Sequence, residues 1–405
     1  MSTAMVIHPS ETAVKNKLSS IIREIDSKPF DELFQDHGIM RGAAGIALFR
    51  LYADRYLLSE ENTALTDALI SSIIDSIAQT KSYSFSDGIA GIGWFLNHIQ
   101  KNELQDLGLD PLLNVLDTIL ENPLRYELER GNYDYITGSL GIALYYLGRD
   151  TEASRELVAY TIRKLEKQAH QITPESIAWA LPEVETDEQS VYDLGLCHGN
   201  ASILAFLLKT HEAGIEQEIT QKLINGVVNY FLTIARETPE ISGSYWPNLE
   251  DGRTGIKSRL AWCYGDVGIA ITILRAGILT GNEEWREKAV EVLELNAKRR
   301  ELKANQILDA GLCHGAAGLA FMFGEAGKLS QNAVLMETAT YWLEQTLAFD
   351  THPDGIAGYK TYFEGQNEVF YYPAAGFLEG VSGVGLGMIG ILVPEASGWK
   401  ECLFL

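Results

Sequence analysis

Basic residues are scarce in this sequence: 32 Lys and Arg stand against 55 Asp and Glu, for a formal net charge of −23. A chain this acidic lacks the basic face that displaces counterions from phosphates, which argues against nucleic acid as a partner. Cysteine is also sparse, with four in 405 residues (Cys197, Cys263, Cys313 and Cys402), so no disulfide framework is expected. The longest apolar window, Gly380 to Val393, is rich in glycine and too short to span a bilayer. Met1 to Pro9 shows no basic region followed by an apolar run, so no secretory signal is expected. These absences point to a cytoplasmic protein without an integral membrane segment. Its length allows two or three domains, or one large closed architecture.

Against this background one element is abundant. A short glycine motif followed by an apolar run recurs seven times. It stands at Gly42-Ala43-Ala44-Gly45, Gly88-Ile89-Ala90-Gly91 and Gly138-Ser139-Leu140-Gly141. The fourth copy, Gly199-Asn200-Ala201-Ser202, has serine for the second glycine, and Gly265-Asp266-Val267-Gly268, Gly315-Ala316-Ala317-Gly318 and Gly380-Val381-Ser382-Gly383 complete the series. First glycines lie 46, 50, 61, 66, 50 and 65 residues apart, room for two helices and their loops. Each motif opens a segment apolar on most faces, such as Ile142 to Leu147, the mark of a helix buried on several sides. Glycine costs a helix about 1 kcal/mol against alanine, so seven pairs need a packing or backbone reason.

Amphipathic, charge-studded segments alternate with these buried ones. Glu11 to Ser27 places Val14, Leu18, Ile21, Ile22 and Ile25 on one face, and the same helical period recurs at 61–79, 109–121, 152–170, 215–236, 283–300 and 331–349. The order outer helix, loop, inner helix, seven times over, predicts an all-α protein, a single α/α toroid over 1–405. An open solenoid is the competing arrangement, but it needs polar capping repeats, and the last repeat is as apolar as the middle ones. Two stretches, Thr238 to Lys257 and His352 to Gly376, are rich in glycine, proline and aromatics and are expected as long loops or short β-ribbons. Tyr245 and Trp246 in the first read equally as a surface excursion or as substrate contacts.

Polar residues fall into register with the repeat. Cys263 and Cys313 stand two positions before their first glycines, His198 and His314 one before, Asp134 four before Gly138, and Arg259 six before Gly265. If the inner helices all start at one rim, these groups share one mouth. Cys263, Cys313 and His314 from adjacent repeats then form a Cys, Cys, His set of the type that holds zinc with a fourth position open. The rival set, Cys197, His198, Cys313 and His314, would be a closed site that skips a repeat and leaves Cys263 idle. In the first arrangement His198 reads as an acid/base oriented by Asp134, or as a histidine capping a turn, and Cys197 as a small residue beside the turn.

Trp262-Cys263-Tyr264-Gly265, Gly311-Leu312-Cys313-His314-Gly315 and the seven glycine repeats together resemble the lanthionine synthetase C family of lanthipeptide cyclases, over essentially the whole chain. The resemblance implies an α/α toroid with catalytic zinc (Zn2+) on Cys263, Cys313 and His314. It also implies active-site roles for His198, Asp134, Arg259 and Tyr264. The implied reaction adds cysteine thiols of a dehydrated precursor peptide to dehydroalanine or dehydrobutyrine, giving thioether rings. Implied partners are that peptide and, in a biosynthetic complex, a dehydratase and an exporter that would hold the protein at the membrane periphery. Three departures stand out: Cys197 in place of a small apolar residue, Ser202 in place of a glycine, and Asp266, a carboxylate beside the metal motif that would alter substrate charge preference. The same ligands would serve a relative that adds glutathione to dehydroamino acids in damaged proteins. A non-catalytic peptide-binding scaffold is a further reading. A carbohydrate-active toroid would call for paired carboxylates, which are not apparent at this rim.

Overall fold

A computed structural model of the chain describes residues 11–57, 63–182, 190–237, 239, 243–250, 257–365 and 368–405. Met1 to Pro9, and Gly252 and Gly255 of the first glycine-rich stretch, lie outside the described residues. The chain divides into two compact units, residues 1–76 with 300–401, and residues 77–299 with 402–405.

In the first unit the buried helices are Ala43–Leu57, Ala316–Ser330 and Val381–Leu392, and the amphipathic ones Glu11–Ser27, Thr63–Ser76 and Ala333–Ala348. Val381–Leu392 packs on both Ala43–Leu57 and Ala316–Ser330, and the Leu378 N–H donates to the Met40 carbonyl at 2.7 Å. The last repeat therefore lies directly on the first, the contact that closure requires and an open solenoid lacks.

In the second unit Ile89–Lys101, Ser139–Arg149, Asn200–Glu212 and Asp266–Thr280 are buried and pack in that order, each on the next. Their outer partners are Asp110–Glu129, Glu152–Gln168, Gln217–Ile234 and Glu283–Ala297. Asp110–Glu129 runs past the expected end at residue 121, through Pro123. An interior proline costs a helix about 3 kcal/mol. Here the buried stripe Leu113, Leu116, Leu120, Leu124 and Leu128 continues across it, and burial of that stripe outweighs the missing hydrogen bond. Residues 402–405 are buried in this unit: the Trp262 Nε1–H donates to the Leu403 carbonyl at 2.9 Å and Arg275 to that of Phe404 at 2.8 Å.

The glycine motifs have a backbone reason. In all seven turns a Cβ on the first glycine would press against the residue six positions earlier: Asp36, Ser82, Asn132, Asp193, Arg259, Asp309 and Ala374. In five of them the carbonyl of that residue accepts the N–H just after the glycine, at 3.0–3.1 Å. The second glycine repeats the arrangement on its own predecessor. A Cβ at Gly318 would overlap the Leu312 carbonyl, and one at Gly383 that of Phe377. The backbone that comes close is thus the chain's own incoming turn.

Both glycine-rich stretches contain short ribbons. Thr361–Glu364 pairs antiparallel with Val369–Tyr372, and Leu249–Glu250 with Tyr192–Asp193. A third pair, His170–Thr173 with Ser176–Ala178, follows the helix ending at Gln168. Tyr245 and Trp246 are neither a surface excursion nor open to substrate. Trp246 is fully buried with its Nε1–H on the Phe231 carbonyl at 2.8 Å, and the Tyr245 hydroxyl donates to Glu291 at 2.5 Å. Their backbone N–H groups both donate to Asp266, at 2.9 and 3.1 Å, and Asn296 donates to it at 3.0 Å. Asp266 is itself fully buried. The expectation that it tunes substrate charge is therefore corrected: its oxygens are taken up in anchoring the stretch at 245–246.

Gly318→Ala is expected to destabilise the protein by about 1–3 kcal/mol, the typical cost of overpacking. Gly324→Ala, in the same helix, adds a Cβ that meets only the Ala339 side chain at 3.7 Å, and is expected to be neutral or to stabilise by up to about 1 kcal/mol. Thermal melts of the two variants check this, and equal melting temperatures would overturn the account of the turns.

Candidate functional site

The turn residue six before the first glycine does more than bracket the helix. At five of the seven positions its side-chain oxygen accepts the N–H two residues on: Asp36 from Gly38 at 2.8 Å, Ser82 from Ser84 at 3.2 Å, Asn132 from Asp134 at 3.3 Å, Asp193 from Gly195 at 2.7 Å and Asp309 from Gly311 at 2.9 Å. Such local bonds set the turn without help from elsewhere. The residues one to four before the glycine are then displayed in a fixed geometry, and these are the positions that carry the candidate chemistry.

Asp134 is held by its own turn, with Thr137 N–H on Oδ1 at 2.7 Å and Gly138 N–H on its carbonyl at 3.0 Å. Its Oδ2 meets His198 Nδ1 at 2.6 Å, so the two residues that sequence register placed together are hydrogen-bonded. With Nδ1 engaged, Nε2 is the nitrogen left for proton transfer. Burial of the imidazole disfavours its charged form. The hydrogen bond and charge of Asp134, with the charges of Asp193 and Cys263, outweigh that and raise the His198 pKa above the ordinary histidine value. Both residues line a cavity of about 190 Å³ together with Tyr133, Thr137 and Trp179.

Tyr264 sits with its ring 6.1 Å from that of His198, and its hydroxyl donates to Asp193 Oδ2 at 2.8 Å. Burial and the neighbouring Asp193 charge raise its pKa far above the usual phenol range, so it remains a hydrogen-bond donor. Asp193 is buried, which raises its own pKa against the opposing bonds from Gly195 and Tyr264. Sequence reasoning missed Asp193. The signal was available, since it stands at the same register position as Asp36 and Asp309, but nothing in the spacing tells of its second bond to the following repeat.

Arg259 occupies that register position in its repeat, where five other turns carry Asp, Asn or Ser and the last carries Ala374. Its Nε is buried with no hydrogen-bond partner among the described residues. Gly265, which it brackets, has φ of +102°, unlike Gly88, Gly138, Gly199, Gly315 and Gly380, which are extended. Only glycine adopts such a φ readily. A turn that lacks the side-chain bond of its counterparts thus carries a guanidinium with unused donors.

Cys263, Cys313 and His314 each offer a ligand atom, and the three atoms lie within 4.8 Å of one another. They are the one group of three or more His, Cys, Asp or Glu side chains so placed among the described residues. Tetrahedral zinc with Zn–S of about 2.3 Å and Zn–N of about 2.0 Å sets its ligand atoms roughly 3.5–3.8 Å apart, so the donors fit in number, softness and spacing. His314 Nε2 lies 3.8 Å from Asp309 Oδ2, beyond hydrogen-bond distance but close enough for the carboxylate's charge to act on the imidazole. Cys197 stands outside the group. It is buried, its N–H on the Cys263 carbonyl at 3.3 Å, as a small residue beside the turn would be.

No described helix is long and apolar enough to cross a membrane. The comparisons agree with the geometry. Relatives include the nisin biosynthesis protein NisC of Lactococcus lactis subsp. lactis, 25% identical over 349 residues, which are 78% of this chain and 80% of that protein. Glutathione S-transferase LANCL1 of Danio rerio is 24% identical over 358 residues, 84% of this chain and 82% of its own. Among solved structures, nisin cyclase matches with a TM-score of 0.72 at 22% identity over 97% of each chain. That likeness bears out the fold class, an all-α helical toroid. The profile described as "Lanthionine synthetase C-like protein" matches residues 34–404, and with a match across nearly its whole length the chain belongs to the lanthionine synthetase C-like family.

Proposed function

We propose that this protein is a zinc-dependent lanthipeptide cyclase, which adds cysteine thiols of a dehydrated precursor peptide to its dehydroalanine or dehydrobutyrine residues. The observation that carries the reading is the Cys263, Cys313, His314 group, joined by the His198–Asp134 pair. Cys263, Cys313 and His314 would hold the ion. When bound, zinc supplies a substrate thiol that is ionised at neutral pH, where a free thiol of pKa about 8.5 is mostly protonated.

The rest of the reaction falls to side chains. Attack of the sulfur on the β-carbon breaks the carbon–carbon π bond and places its electrons on the α-carbon and carbonyl oxygen as an enolate. His198, carrying its proton to a higher pH than an ordinary histidine, delivers that proton to the α-carbon. The proton lost by the incoming thiol restores it, so the ring has the mass of its precursor. Asp134 fixes the imidazole by its Nδ1 and balances its charge. Arg259, with buried donor capacity unspent, stabilises the enolate oxygen. Tyr264, hydrogen-bonded to Asp193, keeps its ring beside the imidazole. A second reading, in which glutathione supplies the thiol, is favoured by the likeness to the Danio rerio glutathione S-transferase LANCL1 and uses the same residues.

Incubation with a dehydrated peptide, followed by thiol alkylation and mass spectrometry, tests the reading. Cyclisation leaves the mass unchanged and removes the alkylatable thiols, whereas glutathione addition raises the mass. Cys263→Ala is expected to lose both zinc and cyclisation, and His198→Asn to keep its zinc while kcat falls about 10²–10⁴-fold. Full activity in Cys263→Ala would sink the assignment. Asp134→Asn removes the charge that raises the His198 pKa, so the alkaline limb of the pH–rate profile is expected to move to lower pH. A limb that stays in place would exclude His198 as the acid.

A further inference from the structure

One buried group beside the site is left without use. Tyr133, adjacent to Asp134, is 7% exposed, and its hydroxyl has no hydrogen-bond partner among the described residues. An unpaired buried hydroxyl costs about 1–3 kcal/mol. Tyr133 lines the cavity of His198 and also a second one, of about 360 Å³, and Gly131, Trp179, Ala180 and Pro182 are walls of both. The two volumes thus adjoin along a common partition. The first alone is smaller than the roughly 300–1,000 Å³ of a ligand pocket, and with the second it falls inside that range.

The partition is rigid. Trp179 donates its Nε1–H to the Leu165 carbonyl at 2.9 Å and its backbone N–H to Asn200 Oδ1 at 2.9 Å, and Asn200 donates back to the Trp179 carbonyl at 3.0 Å. The indole donor is therefore spent, and the Tyr133 hydroxyl is the donor left at the junction. Burial and the charge of Glu129 hold its proton well above the usual phenol range. The outer cavity carries both signs of charge, Glu129 beside Arg130 and Lys167, so it selects no single side-chain charge. A neutral acceptor present at every residue of a peptide, the main-chain carbonyl, suits it better.

We propose that the two adjoining cavities form a subsite for the peptide segment flanking the reacting residue, with the Tyr133 hydroxyl donating to a main-chain carbonyl of that segment. The proposal deepens the cyclase reading and rests on it. It makes Tyr133 a substrate-positioning residue and the hairpin at 170–178, with Trp179 to Pro182 after it, a determinant of which peptides are accepted.

The test compares two probes on the zinc-loaded full chain. One is a synthetic heptapeptide with one dehydroalanine and one cysteine; the other is the pair N-acetyldehydroalanine methyl ester and N-acetylcysteine methyl ester, which lacks the flanking peptide segment. In Tyr133→Phe the ratio of kcat/KM for the heptapeptide to that for the short pair is expected to fall about 5–10-fold, through KM, the equivalent of one hydrogen bond. Ala180→Trp, which fills the junction, is expected to lower the ratio further. Unchanged ratios in folded variants would overturn the proposal, as would a Tyr133→Phe defect equal for both probes, which would mean that the residue acts through Asp134. Should Ala180→Trp fail to fold, Tyr133→Phe decides alone. If the wild-type protein turns over neither probe, the cyclase reading fails. Fluorescence anisotropy of the labelled heptapeptide then decides the subsite: weaker binding to Tyr133→Phe supports it, and equal binding excludes it.

Discussion

The structure depends on one recurring steric contact, the seating of a glycine against the residue six positions earlier in its own chain. The contact turns the incoming loop back onto the first turn of a buried helix, and in five repeats a main-chain hydrogen bond closes it. Everything at the site is measured from that fixed point. Cys263 and Cys313 stand two residues before it, His198 and His314 one before, and Asp134 four before. A Cβ on either glycine of the motif would push the loop away from the helix and carry those side chains with it.

Charge is the second constraint. Asp134, Asp193 and Cys263 act on His198 within an already acidic chain. Asp193 accepts a hydrogen bond from Tyr264, and burial raises its affinity for protons in spite of that bond. Asp134 meets the ring edge-on. The two carboxylates differ in burial and in partners, and only one of them touches the imidazole. The result is a histidine that holds its proton to a higher pH than an ordinary one, although burial opposes its charge.

Much of this was legible in the sequence because it is periodic. The spacing of the glycine motifs marked the inner helices, and the stripe Val14 to Ile25 and its counterparts marked the outer ones. The register of Asp134 with His198 was read from counting alone. What counting could not supply was orientation. Asp266 sits beside the metal motif in sequence but turns its carboxylate to Tyr245, Trp246 and Asn296. The segment expected to end at residue 121 runs on through Pro123, because the leucine stripe continues beyond it. Asp193 and Tyr133 passed unnoticed for a related reason: their importance lies in a bond made, or not made, to a group distant in sequence, and no pattern in residue types encodes that.

The main-chain closure of the turns has an evolutionary consequence. Where a carbonyl does the fastening, the identity of the residue that bears it is free to drift, as Ala374 in one repeat and Ser82 in another attest. Each repeat is a socket with the same mount and an exchangeable fitting. A lineage can rewrite one socket as ligand, another as proton donor and a third as plain packing while the mount stays put. Chemical novelty in such a protein is thereby uncoupled from the risk of misfolding.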